Sequence, residues 1–131
     1  ILKQLGKELK ASTLMFAKFS PDAAKVAFVS EQNIFTEELS TEKLTPLTID
    51  GGGHIINGTF DWAMEEELDL RDGFRWSPDG ESIAYWQLNT EGIGTFNMIN
   101  NIDSIYPTFV PVLYPKVGTT VSSSKIGVIN I

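Results

Sequence analysis

Apolar and polar positions alternate along most of the chain, in short runs rich in β-branched and aromatic residues. Segments 14–19, 26–30, 34–39 and 44–49 have this pattern, as do 73–76, 82–88, 95–100, 108–114 and 125–131. Runs of this length and period predict strands. Turn-forming groups separate them, among them Ser20-Pro21-Asp22, Glu31-Gln32-Asn33, Asp50-Gly51-Gly52-Gly53 and Ser77-Pro78-Asp79-Gly80. Several short strands at this spacing predict an all-β sandwich, barrel or propeller. Leu2, Leu5 and Leu9 are spaced for a helix, but polar residues between positions 7 and 12 interrupt the stripe.

Two stretches repeat. Phe19-Ser20-Pro21-Asp22 and Trp76-Ser77-Pro78-Asp79 are each followed, after three residues, by an aliphatic residue, alanine and an aromatic: Val26-Ala27-Phe28 and Ile83-Ala84-Tyr85. Proline presets φ at the second turn position, and aspartate bonds its own backbone. The next residue enters the strand with positive φ. Gly80 accepts this freely, whereas Ala23 would lose roughly 1–2 kcal/mol there, so a looser first turn is expected. Small Ala27 and Ala84 would let neighbouring sheets approach closely. The copies lie 57 residues apart, more than the ~40–50 of a four-stranded propeller blade. The excess is expected between Gly52 and Leu70.

That stretch contains Asp61-Trp62-Ala63-Met64-Glu65-Glu66-Glu67. Asp61 is a helix N-cap, and a short inserted helix is predicted near residues 62–70. Met64 and Leu68, four apart, would share its buried face, and Trp62 would pack at its start. Adjacent helical residues point ~100° apart, so Glu66 and Glu67 can converge on a small object only from two sides. Repulsion raises carboxyl pKa values, and a cation between them reverses this. From the residues alone, a site for an ammonium group or metal ion competes with a plain solvated face.

Composition narrows the chemistry. The net charge of −7 argues against nucleic acid or an anionic membrane as partner, because both need a basic face. No cysteine is present, which removes disulfides, thiolate catalysis and cysteine-based metal sites. The single histidine, His54, sits in a glycine-rich loop, and no Gly-x-Ser-x-Gly elbow occurs. Gly51-Gly52-Gly53 lacks the lysine of a phosphate loop, and adjacent glutamates match a calcium loop poorly. None of these features adds a metal site, and no cofactor is expected. No apolar run approaches the ~20 residues of a membrane span. The opening Ile1-Leu2-Lys3, without an initiator Met, and the strand-like ending suggest a fragment of a longer protein.

Asp61-Trp62-x-x-Glu65-Glu66-Glu67, followed by Trp76-Ser77-Pro78-Asp79-Gly80-x-x-Ile83-Ala84-Tyr85 and Tyr114-Pro115-Lys116-x-Gly118, resembles the N-terminal β-propeller domain of the dipeptidyl peptidase IV family. Asn57-Gly58 before the helix fits as well. The resemblance covers position 14 to the end. It departs where the family has Asn-Pro and this chain has Val121-Ser122, which puts the entry to the following blade in doubt, and where Ala23 replaces glycine.

The resemblance implies a partial β-propeller: residues 1–131 would form about two blades of an eight-bladed ring, with a C-terminal α/β-hydrolase domain outside this chain. It implies a serine exopeptidase releasing N-terminal dipeptides of Xaa-Pro or Xaa-Ala type, whose catalytic triad lies in that second domain, so this chain alone would be inactive. Glu66 and Glu67 would hold the α-ammonium of a peptide with a free N-terminus, with Trp62 and Glu65 supporting them. No convincing match to the family's substrate-contacting arginine is present. Family habit places such proteins in the periplasm or outside the cell. Blades cut from a ring would self-associate. The alternative is a non-enzymatic binding propeller of TolB-like type, with the glutamates as a docking or solvated face.

Overall fold

Alternating β-branched and aromatic segments pair into three antiparallel sheets in the computed structural model, which describes residues 2–131. The first sheet is a meander of β1 (Met15–Phe19), β2 (Lys25–Ser30), β3 (Asn33–Glu38) and β4 (Leu44–Pro46), each strand beside its chain neighbour. The second is centred on β7 (Ser82–Asn89). β10 (Ser123–Asn130) pairs one edge of β7, and both β5 (Ile55–Asn57) and β6 (Phe74–Trp76) pair the other. β8 (Thr95–Asn100) and β9 (Thr108–Leu113) form a separate hairpin between β7 and β10 in the chain. The one α-helix among the described residues, α1 (Trp62–Leu68), lies between β5 and β6. The architecture is a partial all-β propeller in which the meander is one blade.

The core lies between the first two sheets. Ala27, Val29 and Ile34 of the meander meet Phe74 and Ile83 of the second sheet. β2 is buried continuously from Val26 to Ser30, which explains why its sequence reads as an unbroken apolar run. Phe28 stacks on Phe35 across the β2–β3 pair, centroids 6.2 Å apart. Ala27 is fully buried, as close sheet packing requires, but Ala84 is exposed. On the β7 face that carries Ala84, Trp86 and Leu88, only the Leu88 end is covered, so the repeated alanine has different surroundings in the two copies.

The two repeated turns match bond for bond. Ser20 Oγ donates to Asp22 and accepts from the Lys25 amide at 2.9 Å; Ser77 Oγ donates to Asp79 and accepts from the Ser82 amide at 3.0 Å. Asp22 accepts the Ala24 N–H, and Asp79 the Glu81 N–H, both at 3.0 Å. The looser first turn expected from Ala23 is absent. Ala23 has φ 57° and Gly80 φ 74°. Three matching hydrogen bonds hold the alanine in a left-handed conformation that costs roughly 1–2 kcal/mol.

Other departures have local causes. Strand 44–49 stops at Pro46, because the Thr48 hydroxyl takes the Ile34 N–H at 3.0 Å in place of a ladder carbonyl. Ser123 and Ser124, in an expected loop, pair with Asn89 and Leu88, so β10 enters its sheet in register despite Val121-Ser122. Residues 2–10 are not helical, and a single 3₁₀ turn spans Ala11–Thr13. No helix among the described residues is long and apolar enough to cross a membrane.

Candidate functional site

The stretch carrying the glutamates interrupts a strand without disturbing its register. Asn57 pairs with Gln87, and Phe74 pairs with Tyr85. Between them, Trp86 has two partners: the Gly58 N–H donates to the Trp86 carbonyl and the Trp86 N–H donates to the Gly73 carbonyl, each at 2.9 Å. The Gly73 N–H closes the gap by donating to the Gly58 carbonyl at 3.0 Å. Gly58 and Gly73 thus share the pairing of one residue, and residues 59–72 leave and re-enter the sheet at one point. Removing these residues from the 57-residue repeat brings it into the ~40–50 of a blade. Ile55–Asn57, expected to belong to the insertion, is blade strand.

Both glycines are dictated by contact. Gly58 has φ +74°, and a Cβ there would lie 2.7 Å from Ile34 Cγ1; a Cβ on Gly73 would lie 2.8 Å from the Gly58 carbonyl carbon. The entry is also fixed by side chains. Asn57 is fully buried and donates to Asp50 Oδ1, while Gln87 Nε2 reaches both Asp50 Oδ2 and Asn57 Oδ1, all at 2.9 Å.

Inside the excursion, α1 forms as its N-cap predicts. Asp61 Oδ1 accepts the Met64 N–H at 2.8 Å, satisfying one of the orphan donors of the first turn. Asp69 ends the helix in a left-handed conformation, φ 53°. Met64 packs on Ile56, Phe60 and Leu88. Leu68, expected on the same buried face, is 63% exposed, because the helix ends there and the blade surface extends under its first turn only. Trp62 is likewise not buried, at 36% exposure. Its ring lies against Tyr114, centroids 5.0 Å apart, and Tyr114 in turn lies against Phe96 at 5.9 Å.

Further tethers surround the helix. The Ser122 hydroxyl, one residue before β10, donates to Asp61 Oδ2, and both residues are buried. Thr59 Oγ donates to the Arg71 carbonyl at 2.9 Å, tying the two limbs together. Lys18 of β1 bonds Asp72 and donates to the Phe74 carbonyl at 2.6 Å, holding the returning limb against the first blade.

The three glutamates differ. Glu65 is half-buried, and its carboxyl pKa is pushed above the usual value first by burial, then by Glu66 and Asp61, with Arg71 opposing. Glu66 and Glu67 are exposed. Among the described residues, no lysine or arginine forms an ion pair with any of the three. Arg71 pairs with Asp69 instead, at 3.6 Å. His54 is exposed on its loop, its Nδ1 3.4 Å from Thr90 Oγ. Sequence patterning found the helix, its cap and its carboxylates. It did not find Ser122, Lys18 or Asp72, because their partners are far away in the chain. Tyr114 stood in a quoted motif, but nothing local linked it to Trp62.

A partial propeller with an inserted, carboxylate-bearing helix defines a narrow class. The family model described as the dipeptidyl peptidase IV N-terminal region matches residues 2–131. The chain belongs to this family. It is 33% identical over 125 residues to "Probable dipeptidyl peptidase 4" of Aspergillus flavus, an alignment covering 90% of this chain and 16% of that protein. It is 30% identical over 117 residues to "Probable dipeptidyl-aminopeptidase B" of Podospora anserina, covering 80% and 13%. Among solved structures, dipeptidyl peptidase 4 of Porphyromonas gingivalis superposes with a TM-score of 0.84 at 30% identity, covering 89% of this chain and 17% of that one. The chain thus spans between about an eighth and a sixth of the length of these relatives.

Proposed function

We propose that this chain is a propeller segment of a serine exopeptidase that releases N-terminal dipeptides of Xaa-Pro or Xaa-Ala type, and that Glu66 and Glu67 hold the substrate's α-ammonium. Trp62 and Glu65 support them. The catalytic triad belongs to an α/β-hydrolase domain outside these residues, so residues 1–131 alone are inactive.

One observation carries the proposal: a short helix, on an excursion pinned into a blade at both ends, presents the neighbouring carboxylates Glu66 and Glu67, with which no cation of the described residues forms an ion pair. An ammonium between Glu66 and Glu67 relieves their repulsion and gains charge-assisted hydrogen bonds, each worth about 1.5–3 kcal/mol. Used for positioning, that energy acts as a ruler. With the N-terminus fixed, only two residues fit before the scissile carbonyl reaches the nucleophile, and orientation lowers the barrier. The names of the relatives, dipeptidyl peptidases, agree with this chemistry, and they favour it over a binding propeller of TolB-like type.

The test is substitution in the enzyme that carries this chain. Glu66→Ala and Glu67→Ala are each expected to lower kcat/KM on an N-terminally free Xaa-Pro reporter by roughly 10–100-fold, with the fold intact. Wild-type efficiency in both variants would overturn the clamp.

A further inference from the structure

We propose that Tyr114 and Ser122 are positioning residues that set the orientation of the glutamate helix from outside the excursion. This rests on the clamp proposed above.

α1 has seven residues, and a helix this short does not hold itself in water. Its direction must come from what it touches. Met64 anchors one side to Ile56, Phe60 and Leu88. This single apolar contact stops translation but leaves rotation about the anchor. The opposing contacts come from the chain after β7. Trp62 lies on the Tyr114 ring at 5.0 Å with the planes inclined by 47°, and Tyr114 is backed by Phe96 at 5.9 Å. Tyr114 is itself fixed by its N–H, which donates to the Gly94 carbonyl at 2.8 Å across the base of the β8–β9 hairpin. Trp62 and Glu66 are four apart and share one helix face, so displacement of the indole turns Glu66 with it.

Ser122 fixes the same end through the cap. One Asp61 oxygen takes the Met64 N–H, and the other takes the Ser122 hydroxyl. With both oxygens engaged, the cap carboxylate cannot swivel. Ser123, the next residue, is already paired with Asn89, so the hydroxyl stands on a fixed strand. The helix start is therefore held between a blade strand on one side and a hairpin base on the other. Both contacts sit at the N-terminal end, away from Glu66 and Glu67, and leave those carboxylates open.

The experiment compares two backgrounds in the enzyme that carries this chain: wild type, and a variant with Glu66→Gln and Glu67→Gln. Tyr114→Leu and Ser122→Ala are each expected to lower kcat/KM on the free-amine Xaa-Pro reporter about tenfold in the first background, and to cause no further loss in the second. Tyr114→Phe, which keeps the ring, is expected to retain wild-type efficiency. Unchanged kinetics for Tyr114→Leu and Ser122→Ala, or equal losses in both backgrounds, would overturn the inference. If Tyr114→Leu does not fold, Ser122→Ala, which removes one hydroxyl, decides alone. Failure of the clamp itself shows separately, as full activity of the double glutamine variant.

Discussion

The Gly73 N–H donates to the Gly58 carbonyl across 3.0 Å, so the glutamate-bearing excursion begins and ends at one point. The excursion is held at its root by backbone geometry, and the helix at its start by Trp62 and Asp61. Each of the following expectations follows from a contact of this kind.

Neither glycine accepts a side chain. Gly58→Ala forces an alanine to φ +74° with its Cβ 2.7 Å from Ile34 Cγ1, and Gly73→Ala places a Cβ 2.8 Å from backbone. Each is expected to destabilise by about 2–4 kcal/mol, combining left-handed strain or backbone shift with overpacking. Denaturant unfolding of the protein that carries this chain measures the loss.

The first repeated turn stores strain that the second does not. Ala23→Gly relieves a left-handed alanine at φ 57° and is expected to stabilise by about 0.5–1 kcal/mol, once the added freedom of the unfolded glycine is subtracted. Gly80→Ala is expected to act in the opposite sense by about 1–2 kcal/mol. Equal unfolding midpoints for Ala23→Gly and wild type would contradict this.

The turn aspartates give an acid-side signature. Asp22 is held below its usual value of 3.8 by the Ser20 hydroxyl and then by the Ala24 N–H; Asp79 is lowered in the same way by Ser77 and the Glu81 N–H. A depressed carboxyl binds its proton less tightly when folded. Its contribution is therefore complete above 3.8 and disappears as pH falls through the lowered folded-state value. Asp79→Asn is expected to lower the thermal midpoint by a constant amount at pH 5 and above, with the difference from wild type closing below about pH 4. A difference independent of pH down to the acid limit would show that the carboxylate's charge is not involved.

Most of the fold was legible because its signals are local. Val26–Ser30 reads as a strand whether or not its partners are known, and Asp61 caps a helix through a bond three residues away. What escaped depends on partners distant in sequence. Ile55–Asn57 is three residues behind a glycine run, too short to show a period, and is strand only because Gln87 to Asn89 lie beside it. Leu68 has the right spacing for burial, but the helix stops before a surface can cover it. Ala84 repeats Ala27 in sequence and differs in exposure, because its face of β7 is covered only at the Leu88 end. For the site, carboxylates and cap were readable, whereas Ser122 meets Asp61 across 61 positions, and no local pattern carries that information.

The isolated chain exposes apolar surface on its sheets and hairpin, including Phe19, Ile126, Val128, Ile102, Ile105 and Tyr106. Solvated patches of this kind drive association, and unpaired strand edges add templates for pairing. Light scattering of residues 1–131 is expected to show species larger than a monomer. A stable monomer with dispersed amide signals would refute this.

Trp86 pairs with the nitrogen side of Gly58 and the carbonyl side of Gly73, so the sheet registers the whole detour as a single link. The ladder therefore does not depend on the detour's length, although Met64, Asp61 and Asp72 touch the sheets through Leu88, Ser122 and Lys18. Exposed positions of the detour, Glu66 and Glu67 among them, can change between descendants of this fold without shifting one rung of the surrounding ladder, which separates the evolution of recognition from the evolution of the scaffold.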